Sequence, residues 1–248
     1  MTQNQAVIET IEKLGGVATL GEINANIFDI KECKWGTQTP SASIRRIVRH
    51  TRGIFRIKPG LYGLDKYRKE LEQRGIIVQT EENKDSEELR RFTHYYYQGL
   101  LVVIGNLRHL QTFVPYQDKN RIFKDGRKLS ELTSLEVQPH YSYDNLVHRS
   151  STIDVIWFNE RSMPHTFFEV EHSTDIQNSL LKFNDLQDFN TRMVIVADQS
   201  RFEEFANKLS YHAFDELKRD RRVQFLNYED LDKQYDQEIM RQDFSMII

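Results

Sequence analysis

The stretch from Thr152 to Thr174, TIDVIWFNERSMPHTFFEVEHST, constrains this chain more than any other segment. It reads as two apolar strands joined by a short polar turn. Asp154 is expected in the first strand, and Glu169 and Glu171 in the second. Side chains two apart on a strand point to the same face, so Glu169 and Glu171 share a side. If Phe158 pairs with His165 across the turn, antiparallel register sets Asp154 opposite Glu169. Opposed side chains lie about 4.5–5.5 Å apart at Cβ, where like charges repel. One acid at a strand end, or a charged outer face on an edge hairpin, needs no function to explain it. Three acids among IDVIWF and TFFEV do need one. These flanks are too apolar for a solvated face, and buried acids are rare unless paired or metal-bound. A divalent cation with oxygen ligands, Mg²⁺ or Ca²⁺, is the simplest way to hold them.

The 248 residues suffice for one large domain or two modest ones. Cys33 is the single cysteine, which excludes a disulfide framework and a cysteine-built zinc site. No apolar run approaches the roughly 20 residues that span a bilayer. The opening MTQNQAVIETIEKLGG lacks the basic and apolar regions of a signal peptide. A cytoplasmic protein with no membrane association is therefore expected. Net charge is only −3, but it is unevenly spread. Lys34, Arg45, Arg46, Arg49, Arg52, Arg56, Lys58, Lys66, Arg68 and Lys69 face Asp65 as the one acid between residues 34 and 69. Such asymmetry suits a module that meets an anionic partner, although a basic run is often only a solvated face.

The basic segment coincides with a recognisable order of elements. AVIETIEKLGG has Val7, Ile8, Ile11 and Leu14 at helical spacing and stops at Gly15–Gly16. VATL suits a short strand and Gly21–Phe28 a second helix. Thr39 is expected to cap a third helix with Pro40 in its first turn. That helix, PSASIRRIVRHTR, buries Ile44, Ile47 and Val48 and exposes Ser41, Ser43, Arg45, Arg46, Arg49 and His50. GIFRIKPGLYGLD then forms two strands about Lys58–Pro59–Gly60. The segment TPSASIRRIVRHTRGIFRIKPGLYGL resembles the HARE-HTH group, winged helix-turn-helix modules found at the N-termini of some restriction enzymes and chromatin proteins. The resemblance implies double-stranded DNA as partner. Ser41, Ser43, Arg45, Arg46 and Arg49 of the third helix would face the major groove, with Lys58 of the wing on the backbone. A winged helix used for protein contacts is the alternative. On this reading residues 1–78 alone should bind duplex DNA.

Residues 66–91 read as a helical, charged linker. DKYRKELEQRG suits one more helix, and QTEENKDSEELRR is either a mobile hinge or a solvated helix face. From Phe92 to the end, FTHYYYQGLLVVIGNLRHL is expected as an apolar helix and LQTFVPY as a strand. KNRIFKDGRKLSELTSL reads as loop and short helix. The acidic hairpin and the helix TDIQNSLLKFNDLQDF follow. RMVIVAD, the helix SRFEEFANKLSYHAF and VQFLNY then suggest strands running parallel to the hairpin sheet. No glycine-rich phosphate loop and no Ser–His–Asp signature is present.

This order is similar to the PD-(D/E)xK nuclease superfamily, which includes many type II restriction endonucleases. Its motif is an Asp on one strand and Glu-x-Lys on the next. Asp154 matches the Asp and Glu169 the Glu, but Glu171 stands where the Lys usually does. The resemblance implies Mg²⁺-dependent hydrolysis of DNA phosphodiesters. Asp154, Glu169 and the backbone carbonyl of Val170 would hold the metal. Either Glu171 or Lys182, supplied by the following helix, would take the lysine's part, and Gln98 on the first helix would line the site. Cutting both strands would favour a homodimer. The expected fold is thus α/β, with a winged helix-turn-helix over 1–65, the linker over 66–91 and a restriction-endonuclease-like mixed sheet flanked by helices over 92–248. A non-enzymatic DNA-binding regulator with a degenerate nuclease fold is the alternative. His172 and Ser173 could touch phosphate, and the basic loop Lys119–Lys128 could approach DNA or simply be solvated. Tyr95, Tyr96 and Tyr97 are expected in helix packing rather than base stacking.

Overall fold

The computed structural model describes residues 1–36, 39–84, 86–172 and 175–245. Contacts divide the chain into two units, one of Met1–Phe92, Ile122–Arg127 and Lys233–Ile248, the other of Thr93–Arg121 and Lys128–Asp232. These units do not coincide with the spans 1–65, 66–91 and 92–248, because two later segments join the N-terminal residues. Among the described residues, no helix is long and apolar enough to cross a membrane.

In the first unit, α1 (Gln3–Lys13) opens on a reciprocal cap. Thr2 accepts from the Gln5 amide, and the Gln5 side chain accepts from the Thr2 amide. It is followed by β1 (Val17–Thr19) and α2 (Leu20–Asn26), the latter capped in the same way by Thr19 and Glu22. The third helix, α3 (Ser41–His50), starts one residue later than expected, with Pro40 rather than Thr39 at the cap position. Its buried residues are Ile44, Ile47 and Val48, the three, four spacing that faces one side of a helix. The hairpin of β2 (Ile54–Lys58) and β3 (Leu61–Leu64) turns at Pro59–Gly60, where Gly60 has φ +82°. Proline presets the first turn position and glycine tolerates the second, which other residues rarely adopt. The three strands form an antiparallel sheet of order β1-β3-β2. The expected helix after the hairpin is α4 (Arg68–Gln73).

The unit also contains a buried ion pair that joins distant parts of the sequence. Lys124 donates to both oxygens of Glu22 at 2.5 and 2.7 Å, and the Tyr235 hydroxyl donates to Glu22 at 2.6 Å. The Thr19 hydroxyl meets Asp236 at 2.6 Å. Burial raises the Glu22 carboxyl, but Lys124 more than offsets this and holds it below its ordinary range. Residues 1–78 are therefore not a complete unit, and excising them would strand a buried carboxylate. The basic loop is likewise not free as a whole. Lys124 is buried, Lys119 donates to the Glu136 carbonyl, and Arg127 pairs with Asp125 at 2.6 Å.

The helix α5 (Glu87–Leu107) starts five residues before the apolar stretch, so the end of the charged run is helical. It enters the second unit at Thr93. There follow β4 (Gln111–Phe113), α6 (Leu129–Leu132), α7 (Asp144–Ser150), β5 (Val155–Phe158), β6 (Pro164–Glu171), α8 (Ile176–Asp185), β7 (Arg192–Ala197), α9 (Phe202–Leu209), α10 (Asp215–Lys218), β8 (Val223–Asn227) and α11 (Tyr228–Ser245). The sequence reading did not anticipate α7, α10 or α11. The sheet has order β4-β5-β6-β7-β8 and is mixed, with β4, β5 and β6 antiparallel and β6, β7 and β8 parallel. This is an α/β fold.

Strand alternation gives the two faces of the sheet their partners. On one face Ile156, Phe167, Met193 and Ile195 pack with Ile176, Leu180 and Phe183 of α8. On the other, Trp157 lies 4.5 Å from Phe168 and donates from Nε1 to the Leu101 carbonyl of α5 at 3.0 Å. Gly105 is where α5 comes closest. A Cβ there would lie 2.5 Å from Thr112 and 2.6 Å from Trp157. Tyr96 and Tyr97 are buried, and Tyr97 stacks on Tyr228 at 3.9 Å between centroids, so these rings pack internally.

Candidate active site

The site lies at the C-terminal end of β6. Odd residues of this strand face α8: Phe167 enters the apolar core, and Glu169 and Glu171 continue the same face as acids. Both are buried, at 2% and 5% exposure. The helix α8 matches this change. Leu180 and Phe183 cover the apolar part, whereas Ser179 and Lys182, three apart and hence on one side, meet the acids. Lys182 Nζ donates to Glu169 Oε2 at 2.7 Å, to Oε1 at 3.0 Å and to the Thr152 carbonyl at 3.0 Å. Ser179 Oγ donates to Glu169 Oε2 at 3.0 Å and is also hydrogen-bonded to Glu171.

Asp154 sits just before β5 rather than within it. Trp157 pairs with Thr166 and Val155 with Phe168, but a bulge moves Phe158 onto Pro164 instead of His165. The bulge lies beyond the acidic end, so Asp154 still arrives beside Glu169. Its amide donates to Glu169 Oε1 at 3.3 Å, and its Oδ2 accepts from the Val170 amide at 2.7 Å. These backbone bonds fix the two carboxylates relative to each other.

The electrostatics are those of a site short of positive charge. Burial, with the Asp154 charge adding and Lys182 opposing, pushes the Glu169 carboxyl up to about 8. Burial also pushes Glu171 up to about 7, with Asp154 adding, while the Ser179 hydrogen bond and the charges of Arg201 and Lys182 oppose. Burial lowers the Lys182 ammonium, but Glu169 outweighs it and the group ends above its ordinary value. Arg201 Nη1 donates to the Glu171 carbonyl at 3.2 Å.

Sequence reasoning missed His94, Asp118 and Ser179. His94 Nδ1 is 3.1 Å from the Val170 carbonyl, and its Nε2 is 3.8 Å from Asp154 Oδ1. Gln98, fully buried, donates from Nε2 to Asp118 Oδ2 at 3.0 Å and to the Asp154 carbonyl at 2.7 Å. His94 lies four residues before Gln98, one turn away on the same face of α5, and that spacing was the available signal. Asp118, in a turn after β4, carried none. His172 stacks near Tyr228, at 6.3 Å between centroids, and Ser173 lies outside the described residues. In the first unit, Arg45, Arg46 and Arg49 are exposed on α3, Ser43 and Lys58 are half-buried, and the Ser41 hydroxyl donates to Asn24 at 2.7 Å.

The family described as the type II restriction enzyme NmeDI C-terminal domain matches residues 76–244. The type II restriction enzyme NmeDI of Neisseria meningitidis serogroup C is 30% identical over 123 residues, 45% of this chain and 35% of the relative. The chain thus spans about a third of that relative's length. No solved structure matches the chain significantly. The match over residues 76–244 includes both acidic strands, α8 and the whole five-stranded sheet, and the chain belongs to the NmeDI C-terminal domain family.

Proposed function

We propose that the chain is a Mg²⁺-dependent DNA endonuclease of the restriction class, built on a PD-(D/E)xK-type site and guided to duplex DNA by an N-terminal winged helix. The observation that carries this reading is Lys182. The chain has Glu171 where the superfamily motif has its lysine, yet an ammonium reaches Glu169 from α8 at 2.7 Å, beside Asp154. The relative's printed name, a type II restriction enzyme, points the same way.

The residues suit a hard divalent cation. The donors are oxygens, and two carboxyls are held above the ordinary range by burial and mutual repulsion, which added positive charge relieves. Asp154, Glu169 and the second lone pair of the Val170 carbonyl would hold Mg²⁺. When bound, the ion lowers the pKa of the attacking water and offsets charge on the phosphate. Lys182 opposes protonation of Glu169 and orients it. Glu171, held in place by Ser179, orients the water and takes up its proton. The Asp154 and Val170 backbone bonds hold this geometry before DNA arrives.

Incubation of the full chain with mixed-sequence plasmid in Mg²⁺, with EDTA as control, tests the assignment. Linear or nicked products that EDTA abolishes support it. Salt-sensitive DNA binding with no cleavage in any divalent ion favours the regulator instead.

Arg45 and Arg49, four apart on α3, share a face, and Arg46 is turned away by about 100°. In the full chain, Arg45→Ala and Arg49→Ala should each lower the slope of log affinity against log salt by about 0.9 where the side chain meets a phosphate. Whichever meets a base edge should instead alter sequence preference. Lys58→Ala should weaken binding to all sequences alike. Electrophoretic shifts at several salt concentrations check this, and unchanged slopes in all three variants would move DNA recognition away from α3 and the hairpin.

A further inference from the structure

Among the described residues, a second group of side chains, sharing Asp154 with the set proposed above, could hold a metal ion. His94, Asp118 and Asp154 each present one ligand atom, and these atoms all lie within 4.8 Å of one another. We infer that His94 and Asp118 join Asp154 in a mixed nitrogen–oxygen centre for a divalent first-row transition ion of the Mn²⁺ type. The inference deepens the nuclease reading and rests on it only for what the ion does.

The arrangement around each ligand supports the centre. His94 Nδ1 lies 3.1 Å from the Val170 carbonyl, an acceptor, and in a neutral ring that donates there Nε2 would carry the lone pair. Nε2 lies 3.8 Å from Asp154 Oδ1, a separation that an ion bound to both atoms would bridge. A ligating histidine typically has its other nitrogen tied in this manner. Both carboxylates show the same division. Asp154 Oδ2 is held by the Val170 amide and Asp118 Oδ2 by Gln98 Nε2, and each leaves a second oxygen for an ion. Gln98 is fully buried, reaches both aspartates, and has an Oε1 with no hydrogen-bond partner. A buried amide left half satisfied beside two acids and an imidazole marks a place where polar content is missing.

The donor set also indicates which ion. Imidazole nitrogen is a poor ligand for Mg²⁺ and Ca²⁺ and a good one for transition ions, while the two carboxylates keep the site within the range of Mn²⁺. Glu169 is not one of these three side chains; both its oxygens accept from Lys182.

The test uses Mn²⁺ as probe on the full chain without DNA. Calorimetric titration should show one tight ion per chain, with Mg²⁺ bound at least about tenfold more weakly. Pulsed electron paramagnetic resonance of the Mn²⁺-loaded protein should show coupling to an imidazole nitrogen. His94→Ala should abolish that coupling, and both His94→Ala and Asp118→Asn should weaken Mn²⁺ binding about tenfold or more. Circular dichroism and metal-free melting identify variants that are not folded, and the nitrogen coupling of the unaltered chain needs no variant at all. Absence of nitrogen coupling in that chain, or unchanged affinity in both folded variants, overturns the inference. Nitrogen coupling in a chain that cuts no DNA supports the site and overturns only the nuclease reading. Mg²⁺-driven cleavage without nitrogen coupling overturns the site and leaves the nuclease reading intact.

Discussion

Asp154→Asn and Lys182→Ala are each expected to cut plasmid at least about a hundredfold more slowly than the unaltered chain, with DNA affinity nearly unchanged. This is the range in which removing one group that stabilises transition-state charge is felt. The two losses have different causes. Asp154→Asn removes an oxygen of the proposed metal site but can keep the hydrogen bond from the Val170 amide, so the fold around it persists. Lys182→Ala removes the cation that opposes protonation of Glu169, whose carboxyl already sits at about 8. Glu169 then stays protonated to higher pH, and the pH profile of Lys182→Ala should be displaced to higher pH than that of the unaltered chain. A merely structural lysine would lower the rate without moving the pH profile. Glu171→Ala in the same assay reads the contribution of the acid at the motif's third position. Normal cleavage by both Asp154→Asn and Glu169→Gln would remove the endonuclease assignment.

The second large effect concerns stability. Glu169 titrates near its ordinary 4.5 when unfolded and at about 8 when folded, and Glu171 near 4.5 and about 7. In the window between those values the folded state holds more protons than the unfolded one. Stability is therefore greatest below about 4.5 as far as these groups are concerned, and is lost as pH rises toward 8. The slope is at most about 1.4 kcal/mol per pH unit for each group. Metal-free thermal melts should show the melting temperature of the unaltered chain falling from pH 5 to about 8 relative to Glu169→Gln, which lacks the larger titration. Divalent cation should restore stability above neutrality, because an ion that binds only the folded state stabilises it by mass action. Parallel melting curves for the unaltered chain and Glu169→Gln over this range would show that Glu169 is not held above its ordinary value.

Part of this site was legible before any coordinates. Strand periodicity alone placed Glu169 and Glu171 on one face, and TDIQNSLLKFNDLQDF read as a helix following that strand. Lys182 was foreseeable because a helix returning over its own strand brings residues of its first turns near the strand's end. The α3 stripe of Ile44, Ile47 and Val48 was equally local, and so was the hairpin turn at Pro59–Gly60. These are consequences of fixed backbone repeats, which act over a few residues and need no partner. Tertiary structure decided what the repeats do not reach. Asp118 joins His94 only because β4 and the turn after it lie beside α5, and no spacing links residues 24 apart. Lys124 looked like one more solvated base until it was found buried against Glu22, 102 residues away. The bulge at Phe158 was invisible as well, since it depends on how Pro164, which lacks an amide hydrogen, meets its neighbour strand. The sequence by itself determined which side chains share a face. Only packing, which balances burial against the charge each face carries, determined which faces meet.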